Sequence, residues 1–356
     1  MKIKIAFLIT TLNTGGAEKQ LIRTINLLDT NRYLIKVFVL TDQVLLLDEL
    51  TGVEVEVLNV NYYNPIAIPK VLNKIRKFSP HILHSVMFAS NLIARCYKFI
   101  DKQCKVVNHI HGLGSWIKKR HIILDRSLIK FVDKIIVISN TSKELRLKRE
   151  KYPSKKLEII YNSVDTNNYT AKNSKPENGT IVFGTASRLV QLKQVDKLLN
   201  LFKELIKLDK NIVLKIAGTG PEEEKLKEIT VQLGLENDVL FLGNVTDMPT
   251  FYNSIDVFIL YSRTEDMPLT IVEAFSSGLT VIAPNIGGIP ELINNNDGLL
   301  LNQDEPVDNQ VLKTHEFLSN INVKVSSKKN RNFALDKFDS SVHKTNIEKL
   351  YESLIK

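Results

Sequence analysis

Short apolar segments separated by longer segments of helical periodicity recur along the whole chain, and this alternation limits the possible folds more than any other feature. In the first half, the apolar segments are 3–9, 35–40, 53–57, 82–85, 106–110 and 134–138. Several are apolar at consecutive positions, which is typical of strands buried on both faces of a parallel sheet. Helical patterns lie between them at 18–28 and 142–148, the second after the N-capping residues Asn140 and Thr141.

The same alternation starts again after a polar, aperiodic connector at 166–179. Strands are predicted at 180–185, 213–217, 239–242 and 257–260, with helices at 195–208, 222–233, 250–255 and in the charged segment 324–356. A chain of 356 residues exceeds the usual size of one hydrophobic core. We therefore expect an α/β protein with two doubly wound domains and a ligand-binding cleft at the carboxyl ends of their strands.

The composition, 44% hydrophobic and 24% charged, is that of a folded protein and excludes disordered and fibrous classes. No window approaches the roughly 20 apolar residues of a membrane span, so any membrane contact is expected to be peripheral. With two cysteines, Cys96 and Cys104, a reducing compartment is favoured, and we predict a cytoplasmic protein. The apolar N-terminus is interpreted as a strand, because no convincing cleavage site follows it.

The net charge of +9 is unevenly distributed. Residues 1–170 carry a net +13 and the remainder a net −4, and within 100–156 there are 15 basic and 5 acidic side chains. This basic segment fits either a solvated helix face or attraction to an anionic membrane or a phosphorylated acceptor. It lacks the aromatic residues and motifs of nucleic-acid binders, so nucleic acid is not expected.

Gly15 and Gly16 follow the first strand and open a helix. Adjacent glycines let the backbone approach a ligand closely, and a helix N-terminus offers N–H groups to a phosphate. The same pair also fits an ordinary tight turn. Neither the P-loop nor the dinucleotide-binding pattern is present, so ATP and NAD are not indicated.

Two cations, Arg188 and Lys193, follow the first strand of the second half. They suit a diphosphate that leaves during a reaction, although an ordinary basic loop has the same composition.

Gly218 lies at the end of the next strand, where it shapes the backbone of the turn into the following helix. The segment Gly243-Asn244-Val245 follows another strand, where exposed backbone groups pair with the edge of a base or form a simple turn.

Glu265 lies in a loop and Glu273, eight residues later, lies on the helix that follows it. Two such carboxylates can reach different hydroxyl groups of one extended ligand, and the helix start near Pro268 can meet phosphate oxygens. Two solvated glutamates would have the same spacing. A glycine turn at Gly287-Gly288, at the predicted cleft side, favours the ligand-binding interpretation.

Taken together, these segments resemble the retaining glycosyltransferases of family 4, which have the two-Rossmann-domain GT-B fold. The resemblance is carried by Gly15-Gly16, Arg188 with Lys193, Gly218-x-Gly220-Pro221, Glu265-x7-Glu273 and Gly287-Gly288-Ile289-Pro290-Glu291. Tyr161-Asn162-Ser163-Val164-Asp165 is similar to the family's Asn-Gly-Val-Asp before the linker, with Ser163 in place of glycine. Asp266 stands where the family usually has a small residue, a departure that bears on sugar preference.

The resemblance implies a role for each matching residue. Gly16, Arg188 and Lys193 would contact the donor diphosphate. Glu273 would hold the ribose, and Glu265 the transferring sugar. His111 would lie near that sugar, with His109 as the competing candidate. The remaining residues assigned to the donor site are Gly15, Gly218, Gly243, Asn244, Val245, Met267, Pro268, Leu269 and Thr270.

The resemblance also implies the domain plan and the reaction. An acceptor-side domain would span 1–168, a nucleotide-sugar domain 179–335, and a final helix at 336–356 would pack back on the first domain. The enzyme would transfer a hexose or N-acetylhexosamine from a UDP- or GDP-linked sugar to a glycan or polyprenyl-diphosphate-linked acceptor in bacterial cell-surface polysaccharide synthesis. We expect it at the inner face of the plasma membrane.

The donor nucleotide sugar is a substrate, and no cofactor is expected. Because the sequence contains no Asp-x-Asp, which holds a metal-diphosphate complex in other glycosyltransferases, metal independence is predicted. Two alternatives differ in class: a non-catalytic nucleotide-sugar-binding partner, and a nucleotide-sugar epimerase of the same architecture. The Glu-x7-Glu spacing favours the transferase over the epimerase.

Overall fold

The structure, a computed structural model, describes residues 2–114, 117–171, 179–293, 297–321 and 323–355. The chain divides into two compact units, Met1–Ser163 with Ser340–Lys356, and Val164–Asp339. The limits differ by a few residues from the predicted 168 and 336. The cause is local pairing within the second unit, where Val164 bridges Asp339 and the Thr166 hydroxyl donates to the Asp339 carboxylate.

The first unit contains a seven-stranded parallel sheet of order β3-β2-β1-β4-β5-β6-β7. Its strands are β1 Ile3–Ile9, β2 Tyr33–Val39, β3 Glu54–Val57, β4 Ile82–Val86, β5 Lys105–Ile110, β6 Lys134–Val137 and β7 Leu157–Ile159. Its first helices are α1 Gly16–Leu27, α2 Ile68–Phe78, α3 Phe88–Tyr97, α4 Lys119–Ser127 and α5 Asn140–Leu145. The six strands predicted for this half are confirmed, with ends shifted by a residue or two.

Alternation along the strands divides the core of this unit between the two faces of the sheet. Ile5, Phe7 and Ile9 of β1 pack in one apolar cluster, whereas Ala6 and Leu8 pack in the other. Successive strand residues point to opposite faces, so a strand covered by helices on both sides must be apolar throughout. This explains why consecutive apolar residues predicted the strands correctly.

The second unit contains a six-stranded parallel sheet of order β10-β9-β8-β11-β12-β13. Its strands are β8 Ile181–Ala186, β9 Ile212–Ala217, β10 Val239–Gly243, β11 Val257–Ile259, β12 Thr280–Pro284 and β13 Gly298–Leu301. Its helices are α6 Val195–Leu208, α7 Glu223–Gln232, α8 Met248–Asn253, α9 Leu269–Ser276, α10 Ile289–Ile293, α11 Val307–Asn320 and α12 Val323–Phe338. The predicted α/β architecture of two doubly wound, Rossmann-like domains is confirmed.

The C-terminal segment forms two helices. α12 ends at Phe338 and belongs to the second unit, and α13, Ser340–Ile355, belongs to the first. Ile347, Leu350 and Tyr351 of α13 are part of the core cluster that contains β1. Among the described residues, none of the helices combines the length and apolarity that crossing a membrane requires.

The predicted capping of α5 by Asn140 and Thr141 is wrong. The helix begins at Asn140 itself, and the Ser139 hydroxyl accepts a hydrogen bond from the Ser142 backbone N–H at 2.8 Å. Ser139 has an extended backbone, which is the usual conformation of a capping residue, whereas Asn140 and Thr141 already lie in the first turn.

Candidate functional site

The strand order of the second sheet reverses between β8 and β11. At such a switch point the loops after the two strands leave in opposite directions and open a crevice at the carboxyl ends. The loop after β8 carries Arg188 and Lys193, and the loop after β11 carries Glu265. A backbone hydrogen bond of 2.9 Å from Arg263 N–H to the Leu192 carbonyl joins the two loops.

Two residues from separate sequence motifs meet in this crevice. The Nζ atom of Lys193 lies 2.5 Å from Oε1 of Glu265, with side chains 27% and 12% exposed. The side chain of Arg188 is exposed, and no ion pair holds its guanidinium within the described part of the chain. The crevice therefore presents one paired and one available cation.

The helix α9 begins at this crevice. Pro268 precedes it and makes no side-chain capping hydrogen bond, and the first N–H groups of a helix have no partner within the helix, as at phosphate-binding helix ends. Met267 and Pro268 are buried, which anchors the start of the helix, and Leu269 and Thr270 are half-buried in its first turn. Asp266, the departure from the family pattern, is also buried.

Glu273 lies one turn into α9 and is bound by a tyrosine that the sequence reasoning missed. The Tyr252 hydroxyl donates to Oε2 of Glu273 at 2.8 Å and approaches the Thr270 carbonyl oxygen at 3.1 Å. Burial, followed by the nearby Glu273 charge, raises the pKa of Tyr252 well above its ordinary value, so the hydroxyl keeps its proton. The tyrosine was missed because an aromatic residue in a short apolar helix has the signature of a core residue.

Gly218 and Gly220, after β9, lie too close to neighbouring backbone atoms for any side chain to fit. Gly218 has a φ of +133°, and a Cβ atom there would lie 1.9 Å from the Ser187 carbonyl oxygen. A Cβ atom at Gly220 would lie 2.2 Å from the Leu189 carbonyl oxygen. Hydrogen bonds from Leu189 N–H to the Thr219 carbonyl, 2.9 Å, and from Gly218 N–H to the Gly243 carbonyl, 2.7 Å, hold the loops together. The glycines thereby fix the shape of the loop that carries Arg188.

The segment Gly243-Asn244-Val245 follows β10 at the same edge of the sheet. Gly243 adopts a left-handed φ of +64°, and a Cβ atom there would meet nothing within 4 Å. Asn244 is exposed and Val245 is half-buried. The turn therefore leaves open space beside its backbone, which both the base-binding and the simple-turn interpretation allow.

In the first unit, the glycine pair lies at the carboxyl end of β1, beside the switch point between β1 and β4. Gly15 is the extended N-cap residue of α1. A Cβ atom at Gly16 would meet nothing within 4 Å, so open space lies beside this backbone. The buried Glu18 accepts a hydrogen bond of 3.1 Å from the Thr11 hydroxyl, and burial raises its pKa.

Three histidines form a row in the first unit. His109 lies on β5 and His111 just beyond the end of that strand, and their rings stack with centroids 4.1 Å apart. His84 of β4 lies 5.5 Å from His109, and its Nδ1 lies 2.6 Å from the Tyr351 hydroxyl of α13. Burial lowers the pKa of His84 and of His111 to about 3, and that of His109 well below 6.5. All three rings are neutral at neutral pH.

His109 and His111 both reach a cavity in this unit. Within the described part of the chain, neither ring nitrogen of His111 has a hydrogen-bond partner, and at His109 Nε2 lacks one. Four charged residues that also line the cavity were not predicted as site residues: Arg95, Asp125, Arg146 and Glu150. Arg146 was interpreted as part of the basic segment, but its side chain is buried and paired with Glu150. The available signal was the spacing of four residues between Arg146 and Glu150, which brings opposite charges together along helical turns.

The predicted site residues are divided between the units. Gly15, Gly16 and His111 belong to the first, and all the others belong to the second. Within the second unit, the structure joins Lys193 to Glu265 and Gly218 to Gly243. It also places Glu273 on the helix that Met267 and Pro268 introduce.

Two family models match successive parts of the chain. The model of Glycosyltransferase Family 4 matches residues 14–168, and that of Glycosyl transferases group 1 matches residues 165–332. The chain belongs to the family 4 glycosyltransferases. The two matches meet at residues 165–168, close to the boundary between the two units after Ser163.

Known proteins are similar to this family 4 chain at low identity. One of them, from the phosphatidylinositol N-acetylglucosaminyltransferase of Arabidopsis thaliana, is 29% identical over 57% of this chain and 46% of that protein. The chain thus spans about half the length of that relative. UDP-Gal:alpha-D-GlcNAc-diphosphoundecaprenol alpha-1,3-galactosyltransferase of Escherichia coli is 26% identical over 82% of this chain and 79% of that protein.

A solved structure supports the same fold. HepE from Anabaena in complex with UDP superposes with a TM-score of 0.85 at 22% identity, covering 99% of this chain and 100% of HepE. At this identity the similarity establishes the two-domain GT-B fold, and the chemistry has to be argued from the residues.

Proposed function

We propose that this protein is a retaining glycosyltransferase that moves a hexose or N-acetylhexosamine from a UDP- or GDP-linked sugar to a glycan or lipid-linked acceptor. The observation that carries the proposal is the contact between Lys193 and Glu265 at the switch point of the second sheet, beside the start of α9. A nucleotide-diphosphate sugar needs both a cation for its leaving group and hydrogen-bond acceptors for its hydroxyl groups. This crevice supplies the two together.

In the proposed reaction, the bond between the anomeric carbon and the diphosphate breaks, and negative charge grows on the leaving diphosphate. Arg188, Lys193 and the N–H groups of α9 stabilise that charge without a protein-bound metal ion. The acceptor hydroxyl forms its new bond on the face that the diphosphate leaves, and its proton passes to an oxygen of the departing diphosphate. This retains the configuration and needs no nucleophile from the protein.

The carboxylates position the donor. Glu273, oriented by Tyr252, would accept hydrogen bonds from the ribose hydroxyl groups, and Glu265 from the transferring sugar. His111 is neutral at neutral pH because burial lowers its pKa to about 3. It would therefore serve as a hydrogen-bonding partner of the sugar and not as a proton donor.

The substrate class is supported by the similar proteins. HepE has been solved with UDP bound, and the Arabidopsis and E. coli relatives are named for acceptors that carry phosphate, namely phosphatidylinositol and GlcNAc-diphosphoundecaprenol. We extend to this protein a UDP-linked donor and a phosphate-bearing lipid acceptor used in cell-surface polysaccharide synthesis.

The proposed membrane contact is the helix α4 within the basic segment 100–156. Its exposed side chains combine three cations, Lys119, Arg120 and Arg126, with Ile123 and Leu124, which are 71% and 49% exposed. Cationic and apolar side chains on one exposed helix suit the interface of an anionic bilayer. We propose that this helix rests on the inner face of the plasma membrane.

The proposal is tested by incubating the full-length protein with a panel of UDP- and GDP-linked sugars and measuring nucleotide release with and without a polyprenyl-diphosphate sugar acceptor. Acceptor-dependent release of UDP or GDP, an α-linked product by NMR from an α-linked donor, and the same rate in EDTA are expected. Donor binding without release under any condition would favour a non-catalytic binding partner.

The membrane contact has its own test. Sedimentation with vesicles should increase with anionic lipid content, decrease with salt and weaken in Ile123→Ser/Leu124→Ser. Binding that ignores lipid charge and salt would contradict this part of the proposal.

A further inference from the structure

The cavity of the first unit contains buried cations whose hydrogen-bonding capacity is not used. Arg95 has no exposed surface and Arg146 is 1% exposed, yet Nη2 of Arg95 and Nε of Arg146 have no hydrogen-bond partner among the residues that the structure describes. Both residues line the cavity. A buried donor on a charged group is costly to leave unpaired, so such atoms indicate a missing ligand.

The other nitrogens of the two guanidinium groups are fixed. Arg95 donates through Nε to Asn108 Oδ1 at 2.6 Å and through Nη1 to Asp125 Oδ1 at 2.6 Å. Arg146 donates through Nη1 to Glu150 and through Nη2 to the Gly112 carbonyl at 2.9 Å. The unused donors are thus held in place before any ligand arrives, which lowers the entropy cost of binding.

The charges around the cavity leave a positive excess. The carboxylates are Asp125, paired with Arg95, and Glu150, shared between Arg146 and Arg149, which lies 2.7 Å from it. The charged lining residues balance, but Arg149, which lies next to the cavity without lining it, brings a third guanidinium group to the same two carboxylates and leaves one positive charge beside the cavity. Arg149 also has a buried Nε atom without a hydrogen-bond partner. The site therefore favours an anion over a neutral ligand.

The rest of the cavity lining suits an anion attached to an organic group. Met87, Ile110, Ile117 and Ile122 supply apolar surface, and the neutral His111 offers two ring nitrogens without partners. All lining residues belong to the first unit, whereas the residues assigned to the donor diphosphate, apart from the glycine pair, belong to the second.

We propose that this cavity binds a phosphate group of the acceptor, held by Arg95 and Arg146 and bordered by His111. The inference rests on the proposed glycosyltransferase function and names the acceptor's recognition element. Arginine is suited to this task because its planar fork matches the geometry of phosphate oxygens.

The test uses the full-length protein and inorganic pyrophosphate as the probe, with saturating UDP present to occupy the nucleotide site. Titration calorimetry should detect pyrophosphate binding to the wild-type protein. In Arg146→Met/Glu150→Gln the affinity should fall about tenfold or more, the usual effect of losing a charged hydrogen bond. This double substitution removes one charge of each sign, so the net charge of the cavity is unchanged and no unpaired carboxylate is created.

The matched control is Arg76→Met, which removes an exposed arginine of α2 in the same unit and should leave the affinity unchanged. If the double variant does not fold, as judged by circular dichroism, Arg95→Lys tests the same point by keeping the charge and removing the fork. Three results would each overturn the proposal. The first is equal affinity in the wild type and the folded cavity variant, and the second is no pyrophosphate binding with UDP present. The third is tighter binding of L-malate, a dicarboxylate without phosphate, than of pyrophosphate.

A second readout separates this inference from the proposed function. Slow release of UDP from the donor sugar by water needs no acceptor and should persist in the cavity variant, while transfer to a phosphate-bearing acceptor falls. Intact donor hydrolysis with unchanged acceptor KM in the variant would overturn the phosphate site and leave the transferase standing. Absence of donor turnover in the wild type would instead count against the transferase.

Discussion

The Nζ atom of Lys193 lies 2.5 Å from Oε1 of Glu265, and each residue comes from a loop that leaves the switch point of the second sheet. A diphosphate bound here would compete with Glu265 for the same ammonium group. Donor binding would then transfer Lys193 from the carboxylate to the phosphate oxygens and release Glu265 to accept hydrogen bonds from the sugar. The ion pair thus keeps both groups in place while the crevice is empty.

Substituting Lys193→Met should reduce sugar transfer by about a hundredfold or more, because the leaving diphosphate loses a positioned cation. The free energy of unfolding should change by less than about 1 kcal/mol, since the ion pair is partly exposed. Steady-state kinetics and urea unfolding measure the two effects. Lys313→Met is the control, because it removes an ammonium 2.6 Å from Glu305 in the same unit. Transfer at the wild-type rate in Lys193→Met would refute the assigned role.

Substituting Tyr252→Phe should raise the KM for the donor roughly tenfold, because Glu273 loses the hydroxyl that orients it. The effect on kcat should be smaller, since the ribose is remote from the broken bond. Tyr261→Phe removes a buried hydroxyl 2.7 Å from Gln310 Oε1 in the same unit and controls for lost stability. A similar change of KM in both variants would show that Tyr252 acts through stability alone.

Two glycines should respond to alanine in opposite ways. Gly16→Ala should leave the unfolding free energy nearly unchanged, because its Cβ atom meets nothing within 4 Å, yet it should weaken transfer if a ligand occupies that space. Gly218→Ala should destabilise the second unit by more than about 2 kcal/mol, because its Cβ atom would lie 1.9 Å from a carbonyl oxygen. Thermal unfolding and transfer assays check both. A stable, fully active Gly218→Ala protein would contradict the loop contact.

The strands were predictable because burial on both faces leaves a local signature, as in Ile135 to Ile138. The residues of the donor crevice were predictable only as separate motifs, since the contact between Lys193 and Glu265 spans 72 positions. Tyr252 and Tyr351 escaped prediction because their hydroxyl groups act on partners 21 and 267 positions away. Arg146 was misinterpreted for a related reason: a sequence shows its charge but not the tertiary packing that buries it.

Acid should destabilise the protein through its histidine row. His84, His109 and His111 have folded pKa values below the ordinary value of about 6.5, because burial disfavours their charged forms. Below pH 6.5 the unfolded chain therefore binds protons that the folded chain does not. The stability present above pH 6.5 is lost as the pH falls toward 3, by up to about 1.4 kcal/mol per pH unit for each histidine.

Urea unfolding between pH 7 and pH 5 measures this dependence. His84→Asn should lower the unfolding free energy at pH 7, because Tyr351 loses a hydrogen-bonding partner. It should also reduce the slope of the unfolding free energy with pH, because up to one proton fewer is taken up on unfolding. The matched control is His315→Asn, which replaces an exposed histidine on α11 outside the histidine row. Equal slopes in His84→Asn and the wild type would mean that His84 binds as many protons in the folded chain as in the unfolded chain. That result would contradict a row of neutral rings beside the cavity, and with it the role of His111 as a neutral partner of the sugar.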